Sequence, residues 1–162
     1  MVAEIDDMMI QAYELCEDGN YLDALKLYDL ALKKDPSNLN AIIDKGVTLQ
    51  NLGRIRQAIR MYDKALKINP DHVDALINKG SSLHTLEKYP EAIRCYDDAL
   101  KVDKKSAMAL AYKGLSLGET GDIEGALKHF KKALSIDENY DLASISKEMA
   151  QDLLKSIKSK IQ

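Results

Sequence analysis

Apolar residues recur along the chain at helical spacing, in stretches separated by glycine or proline. Ile42, Gly46 and Leu49 fall at positions i, i+4 and i+7, which places them on one face of a helix. Gly53 then supplies a turn, and a second apolar face runs over residues 58–66 before a proline ends it. The pattern predicts two helices joined by a tight turn.

This helix–turn–helix pattern repeats with a period of 34 residues. Five columns of residues keep the step over four copies, which chance does not plausibly produce. The columns are Ala12, Gly46, Gly80, Gly114; Leu15, Leu49, Leu83, Leu117; Ala24, Ala58, Ala92, Ala126; Tyr28, Tyr62, Tyr96, Phe130; and Ala31, Ala65, Ala99, Ala133. We predict repeats at residues 5–38, 39–72, 73–106 and 107–140. Because a lone helix pair cannot bury both of its apolar faces, the copies are expected to stack.

Residues 141–162 leave this register but predict one more helix. Their apolar residues form an i+4 row, and most other positions are polar. The row is Ile145, Met149, Leu153, Ile157 and Ile161. One interpretation is a capping helix that covers the last repeat, as repeat arrays require. The alternative is that part of this helix docks on another chain.

At these positions the sequence resembles the tetratricopeptide repeat family. The shared pattern is a small residue at repeat position 8, Ala at 20, Tyr or Phe at 24, Ala at 27 and Pro at 32, the last matched by Pro36 and Pro70. Position 32 departs from it at Lys104 and Glu138, and Glu87 replaces the turn glycine of the third repeat. The resemblance covers residues 5–140.

The resemblance implies an all-α fold, a right-handed α-solenoid formed by residues 1–162 as a single array. It also implies a non-catalytic scaffold or adaptor that holds a partner peptide or helix in a concave groove lined by the first helices. The alternative function is a structural subunit that self-associates through its terminal repeat or capping helix. We therefore expect a protein or peptide partner, and a monomer or weak homo-oligomer.

The first helices are apolar on a second face, which in the family looks into the groove. The candidate peptide-binding residues are Met9, Tyr13, Ile43, Asp44, Val47, Ile77, Asn78, Ser81, His84, Tyr112 and Leu115. For Met9, Ile43 and Ile77 the alternative is packing against the next repeat. Asp44 and Asn78 are either hydrogen-bonding partners of a peptide backbone or ordinary solvated residues. The groove predicts an amphipathic helix or extended peptide with apolar anchors.

Chaperone-binding members of the family hold a C-terminal carboxylate with lysine, asparagine and arginine side chains. The matching positions here are Met9, Tyr13, Asp44, Asp74 and Asn78. None of them is a cation, and the aspartates would repel a carboxylate. A chaperone C-terminal carboxylate is therefore not the expected ligand.

Charge excludes other classes of partner. The net charge of −3 argues against nucleic acid, which favours a basic face. Repeat one carries net −5 and repeat two net +3, a contrast that favours head-to-tail contacts only weakly, since such charges usually lie on a solvated face. The chain contains no run of 18 apolar residues that would span a membrane. Its acidic first ten residues do not resemble a signal peptide, so a cytoplasmic location is expected.

No pattern of catalytic or metal-binding residues stands out. The three histidines lack a second His or Cys at the spacing that a metal site requires, and the two cysteines lie two repeats apart. The glycines of the fourth repeat are not followed by the Lys-Ser/Thr of a phosphate loop. We therefore expect no enzyme activity, no cofactor and no metal.

Overall fold

Nearly all of the chain is helical. The computed structural model describes residues 2–161 and, within them, the side chains of residues 3–160. This part of the chain forms nine α-helices and no strand: α1 (Val2–Glu17), α2 (Tyr21–Lys34), α3 (Leu39–Asn51), α4 (Ile55–Ile68), α5 (Val73–Thr85), α6 (Tyr89–Val102), α7 (Ala107–Glu119), α8 (Ile123–Ile136) and α9 (Asp141–Ile161). The all-α prediction is confirmed. Residue Gln162 and the side chain of Ile161, at the end of the expected cap, lie outside the described residues.

Each predicted repeat contains two helices joined by a short turn. Gly19, Gly53 and Gly121 occupy three of these turns with φ of +76°, +71° and +87°. This left-handed region suits glycine, which has no Cβ to clash with the following carbonyl oxygen. Glu87 takes the same conformation in the remaining turn, with φ of +59°. The predicted turns therefore form even where the sequence lacks glycine.

The two helices of a repeat approach closely where the sequence places its small residues. A Cβ added to Gly46 would lie 2.6 Å from Cε1 of Tyr62, and one added to Gly114 would lie 2.6 Å from Cε1 of Phe130. The aromatic rings thus fill the space that the glycines leave open. The alanine columns that begin at Ala24 and Ala31 are fully buried beside them.

Two periodic sets of side-chain contacts join each repeat to the one before it. The first is a set of ion pairs between the second helix of one repeat and the first helix of the next: Asp29–Lys45, Asp63–Lys79 and Asp97–Lys113. The second, which we call the polar ladder, joins successive first helices through Cys16–Thr48, Gln50–Ser82 and His84–Ser116. Both sets recur at the repeat period, so the same interface is used each time.

The helices fall into two compact units, one ending at Ser82 and the other starting at Leu83, with the boundary inside α5. We refer to them as the N-terminal unit and the C-terminal unit. In the N-terminal unit one apolar cluster gathers around Ile42 and Tyr62. In the C-terminal unit α9 packs against α7 and α8, with Ala143 beside Leu110 and Ala150 beside Phe130. The first half of α9 thus packs on the last helix pair.

Candidate functional site

The N-terminal unit contains a groove of about 500 Å³, which we call the acidic groove. Its walls come from α1, from α3 and from the start of α5. The residues that line it are Asp6, Met9, Ile10, Tyr13, Asn38, Asn40, Ile43, Asp44, His72 and Asp74. Four of the candidate residues, Met9, Tyr13, Ile43 and Asp44, are thus brought together here.

The apolar part of the acidic groove is offered mainly by α1. Ile10 and Tyr13 are 58% and 62% exposed, although both are large apolar side chains. Met9 lies beside them, half-buried against the core. Ile43 is only 7% exposed and belongs to the core around Ile42, as its packing alternative predicts. The accessible anchors are therefore Ile10 and Tyr13, of which the sequence singled out only the second as a contact.

The polar part of the acidic groove is negatively charged. Asp6, Asp44 and Asp74 line it, and none of the described lining residues is a lysine or an arginine. Asp44 is half-buried, and this burial raises the pKa of its carboxyl group above the ordinary value of 3.8. Among the described residues no ion pair includes any of these three aspartates. The groove therefore carries negative charge without a cation of its own to balance it.

Replacing Asp44 with asparagine is expected to raise the melting temperature at pH 7, because the partly buried charge opposes folding there. The folded-state pKa is the raised one. The gain should therefore shrink as the pH falls through that pKa, since the wild-type carboxyl then binds a proton and loses its charge. Thermal unfolding of the wild type and the variant at pH 7 and near pH 3.8, the ordinary pKa of an aspartate, measures the difference. Asp7→Asn, at an exposed site on α1, is the control and should change little. A lower melting temperature for Asp44→Asn at pH 7 would contradict this account.

Two further lining residues hold the helices in place. The Asn38 side chain accepts a hydrogen bond from the backbone N–H of Ala41 at 3.0 Å, and His72 Nδ1 accepts one from that of Ala75 at 3.3 Å. Both side chains therefore cap the N-terminus of a first helix, α3 and α5 respectively. Ser106 does the same for α7, from the same repeat position. Sequence reasoning missed this column because its residue types differ, although all three offer an acceptor.

The other candidate residues of the N-terminal unit do not line this groove. Ile77 is buried, with 3% of its side chain exposed. Val47 is partly exposed on α3, and Asn78 and Ser81 are half-buried on α5. The Ser81 hydroxyl accepts a hydrogen bond from Gln50 Nε2 at 3.3 Å, next to the polar ladder.

The candidate residues of the C-terminal unit make internal contacts. The ring of Tyr112 stacks on Tyr96 with a centroid distance of 6.0 Å. His84 Nδ1 lies 2.8 Å from the Ser116 hydroxyl oxygen, and its ring meets the edge of Tyr89. All three candidates, His84, Tyr112 and Leu115, remain partly exposed.

Leu115 also lines a second, more apolar pocket of about 480 Å³ in the C-terminal unit, between α7, α8 and α9. At this pocket the polar ladder lacks its next polar pair. The next rung would pair position 118 with position 150, and these are Gly118 and Ala150, which offer no polar side chain. Both residues line the pocket, together with Met149 and Leu153 of α9. The pocket thus opens where small residues replace the polar rung.

No helix between residues 2 and 161 has both the length and the apolar character needed to cross a membrane. No group of three or more His, Cys, Asp or Glu side chains in the described chain is arranged to hold a metal ion.

Solved structures with the same fold are numerous. A crystal structure of MamA protein superposes with a TM-score of 0.80 at 22% identity, over 94% of this chain and 83% of that one. PilF of Pseudomonas aeruginosa gives 0.86 at 20% identity, over 95% and 70%. A tetratricopeptide repeat protein from Parabacteroides merdae gives 0.80 at 19% identity, over 95% and 61%. These similarities show that the fold is a helical repeat solenoid.

Family models match most of the chain, whereas no protein of the curated collection matches its sequence. Residues 17–99, just over half of the chain, match the model described as anaphase-promoting complex, cyclosome, subunit 3. Residues 85–141 match a model described as tetratricopeptide repeat. The chain therefore belongs to the tetratricopeptide repeat family, and its residues 17–99 to the group of such repeats that the subunit 3 model describes.

Proposed function

We propose that the acidic groove binds a segment of a partner protein, so that the chain works as an interaction scaffold and not as a catalyst. Helical repeat proteins use their concave surfaces for binding, and this chain belongs to such a family. The observation that carries the proposal is the exposure of Ile10 and Tyr13 within a groove. Apolar anchors with a polar tip, as in tyrosine, are common at the centre of protein interfaces.

The proposed anchors are Ile10, Tyr13 and Met9, and Asp44 and Asn40 are proposed to meet polar groups of the partner. Val47, Asn78 and Ser81, with His84, Tyr112 and Leu115, remain proposed contacts of a longer ligand. Ile43 and Ile77 are assigned to packing, since they are buried. The bound segment is proposed to be an amphipathic helix or an extended peptide.

A C-terminal carboxylate is a poor ligand for this groove. Asp6, Asp44 and Asp74 would repel it, and no described lysine or arginine lines the groove to attract it. We further propose a cytoplasmic location and a single array of four repeats with a C-terminal cap.

Quantitative affinity capture from a lysate of the source organism tests the proposal. The variant Ile10→Asp/Tyr13→Asp is expected to capture each protein that binds in the groove roughly tenfold or more less efficiently, because both anchors would become charged and hydrated. Leu30→Asp is the matched control, since Leu30 is exposed on α2 and does not line the groove. Circular dichroism should show intact helices in both variants, since all three sites are exposed. Equal capture by the groove variant and the control would overturn the proposal.

A further inference from the structure

The C-terminal half of α9 extends past the helices on which the first half packs. Every residue from Lys155 to Lys160 is exposed. Residues 153–160, which we call the basic segment, contain three lysines and no acidic residue. Leu153 and Ile157 are exposed on one face of this segment, and they continue a row that begins at Ile145 and Met149. An exposed apolar row of this length on a helix indicates a binding surface.

The basic segment and the acidic groove are complementary in charge and in character. Lys155, Lys158 and Lys160 give the segment a charge of +3, with Lys155 in an exposed ion pair with Asp152 at 3.4 Å, and the three aspartates of the groove give −3. Each also offers two large exposed apolar side chains, Leu153 and Ile157 on the segment and Ile10 and Tyr13 in the groove. Contact between these apolar side chains would thus be flanked by lysines of the segment and aspartates of the groove. Opposite charges around an interface steer and orient protein association.

We propose that the basic segment of one copy of this protein docks in the acidic groove of a second copy. The proposal rests on the function proposed above, that this groove is a binding site. It assigns the groove an occupant: a helix with apolar residues on one face and lysines around them. Eight helical residues span about 12 Å. The groove, of about 500 Å³, holds several side chains from one face of such a helix, while the rest of the helix stays outside it.

The carboxylate of the half-buried Asp44 is the groove charge that this occupant would stabilise most. Its carboxylate has no ion-pair partner among the described residues, and its burial disfavours the charged form. A lysine ammonium group from the basic segment would supply the missing positive charge at a partly desolvated position. Charge pairs of this kind are worth more than fully exposed ones.

Docking between two different surfaces has a consequence for the size of the assembly. Segment and groove are different surfaces, so a first contact between two copies leaves one groove and one segment free. These contacts either close reciprocally, with two copies exchanging their segments, or build rings and open chains. The average mass should therefore rise with concentration to that of a dimer or beyond, and fall when the ionic strength is raised from about 0.05 M to about 0.5 M, because salt screens the charge pairs.

Sedimentation equilibrium of the full chain and two charge-reversal variants tests the proposal. The segment variant is Lys155→Glu/Lys158→Glu and the groove variant is Asp6→Lys/Asp74→Lys. Each is expected to weaken self-association roughly tenfold or more, since attraction becomes repulsion at two pairs. Mixing the two should restore association, because the intact segment of the groove variant fits the intact groove of the segment variant. The two altered surfaces, an acidic segment and a basic groove, are again opposite in charge. Lys128→Glu/Lys131→Glu, two exposed lysines of α8 at the same spacing, is the matched control and should associate as the wild type does.

A labelled peptide of residues 149–162 gives an independent readout by fluorescence anisotropy. It should bind the wild type and the segment variant alike, and the groove variant roughly tenfold more weakly. A chain that stays monomeric at every concentration in low salt would overturn the proposal. So would unchanged association of the segment variant, or a mixture that fails to recover it. If the variant Ile10→Asp/Tyr13→Asp nevertheless loses a foreign protein in affinity capture, the groove is a binding site and only its occupant is wrong.

Discussion

Replacing Tyr62 with alanine is expected to lower the free energy of unfolding by about 3–5 kcal/mol, the largest effect of any substitution considered for this chain. The Tyr62 side chain is completely buried and fills the space that Gly46 leaves between α3 and α4. Removing the ring would leave a cavity at the centre of the core around Ile42. Since whole domains are stable by only about 5–15 kcal/mol, the loss should be plain in a denaturant unfolding curve followed by circular dichroism.

Tyr62→Phe separates packing from hydrogen bonding at the same position. The Tyr62 hydroxyl donates to Gln50 Oε1 at 3.0 Å, and that oxygen also accepts from the Ser82 hydroxyl at 3.2 Å. Losing one donor should therefore cost only about 0.5–1.5 kcal/mol. Phe130 occupies the equivalent place in the fourth repeat, so a phenyl ring fits the site. Comparable losses for Tyr62→Phe and Tyr62→Ala would contradict the view that ring packing dominates.

Gly114→Ala and Gly118→Ala, one turn apart on α7, are expected to change stability in opposite directions. The new Cβ at position 114 would lie 2.6 Å from Cε1 of Phe130, a buried ring with little room to move. Overpacking of this kind costs about 1–3 kcal/mol. At position 118 the nearest atom is the Ala126 Cβ at 3.8 Å, an ordinary contact, so the higher helix propensity of alanine should add about 1 kcal/mol.

Denaturant unfolding of the two glycine variants beside the wild type measures this difference. The denaturant concentration at the unfolding midpoint should be highest for Gly118→Ala, intermediate for the wild type and lowest for Gly114→Ala. Equal stability of the two variants would mean that α7 and α8 separate easily, and that the small residue is not required by close approach.

The repeat architecture could be predicted from the sequence because its determinants are simple. A close approach of two helices requires a small residue, as at Gly46, and the ring opposite must fill the space, as Tyr62 does. Both requirements recur every 34 residues and leave visible columns. The column of helix-capping residues could not be predicted from the sequence, because its residue type changes from repeat to repeat. Asparagine, histidine and serine all accept a backbone hydrogen bond at Asn38, His72 and Ser106, so no single residue type marks the position.

The candidate site was predicted less completely than the fold. A helical wheel places Ile43 and Ile77 toward the groove, but wheel angles do not include the neighbouring helices that bury both side chains. The same limit hid Ile10, whose exposure depends on how little of α1 the rest of the N-terminal unit covers. The charge of the groove arises from Asp6, Asp44 and Asp74, which come from three helices or their ends and are distant in sequence.

Site-specific photocrosslinking from the groove tests the central claim most directly. A photoreactive phenylalanine analogue placed at Tyr13 lies inside the acidic groove, and the same analogue at Leu30 lies on the exposed face of α2. Our account predicts that position 13 crosslinks in cell extract to a distinct polypeptide segment, which peptide sequencing then identifies as a foreign helix or as residues 149–162 of a second copy. Position 30 should give no such product. The same products from both positions, or none from position 13, would contradict the claim that this groove is a binding site.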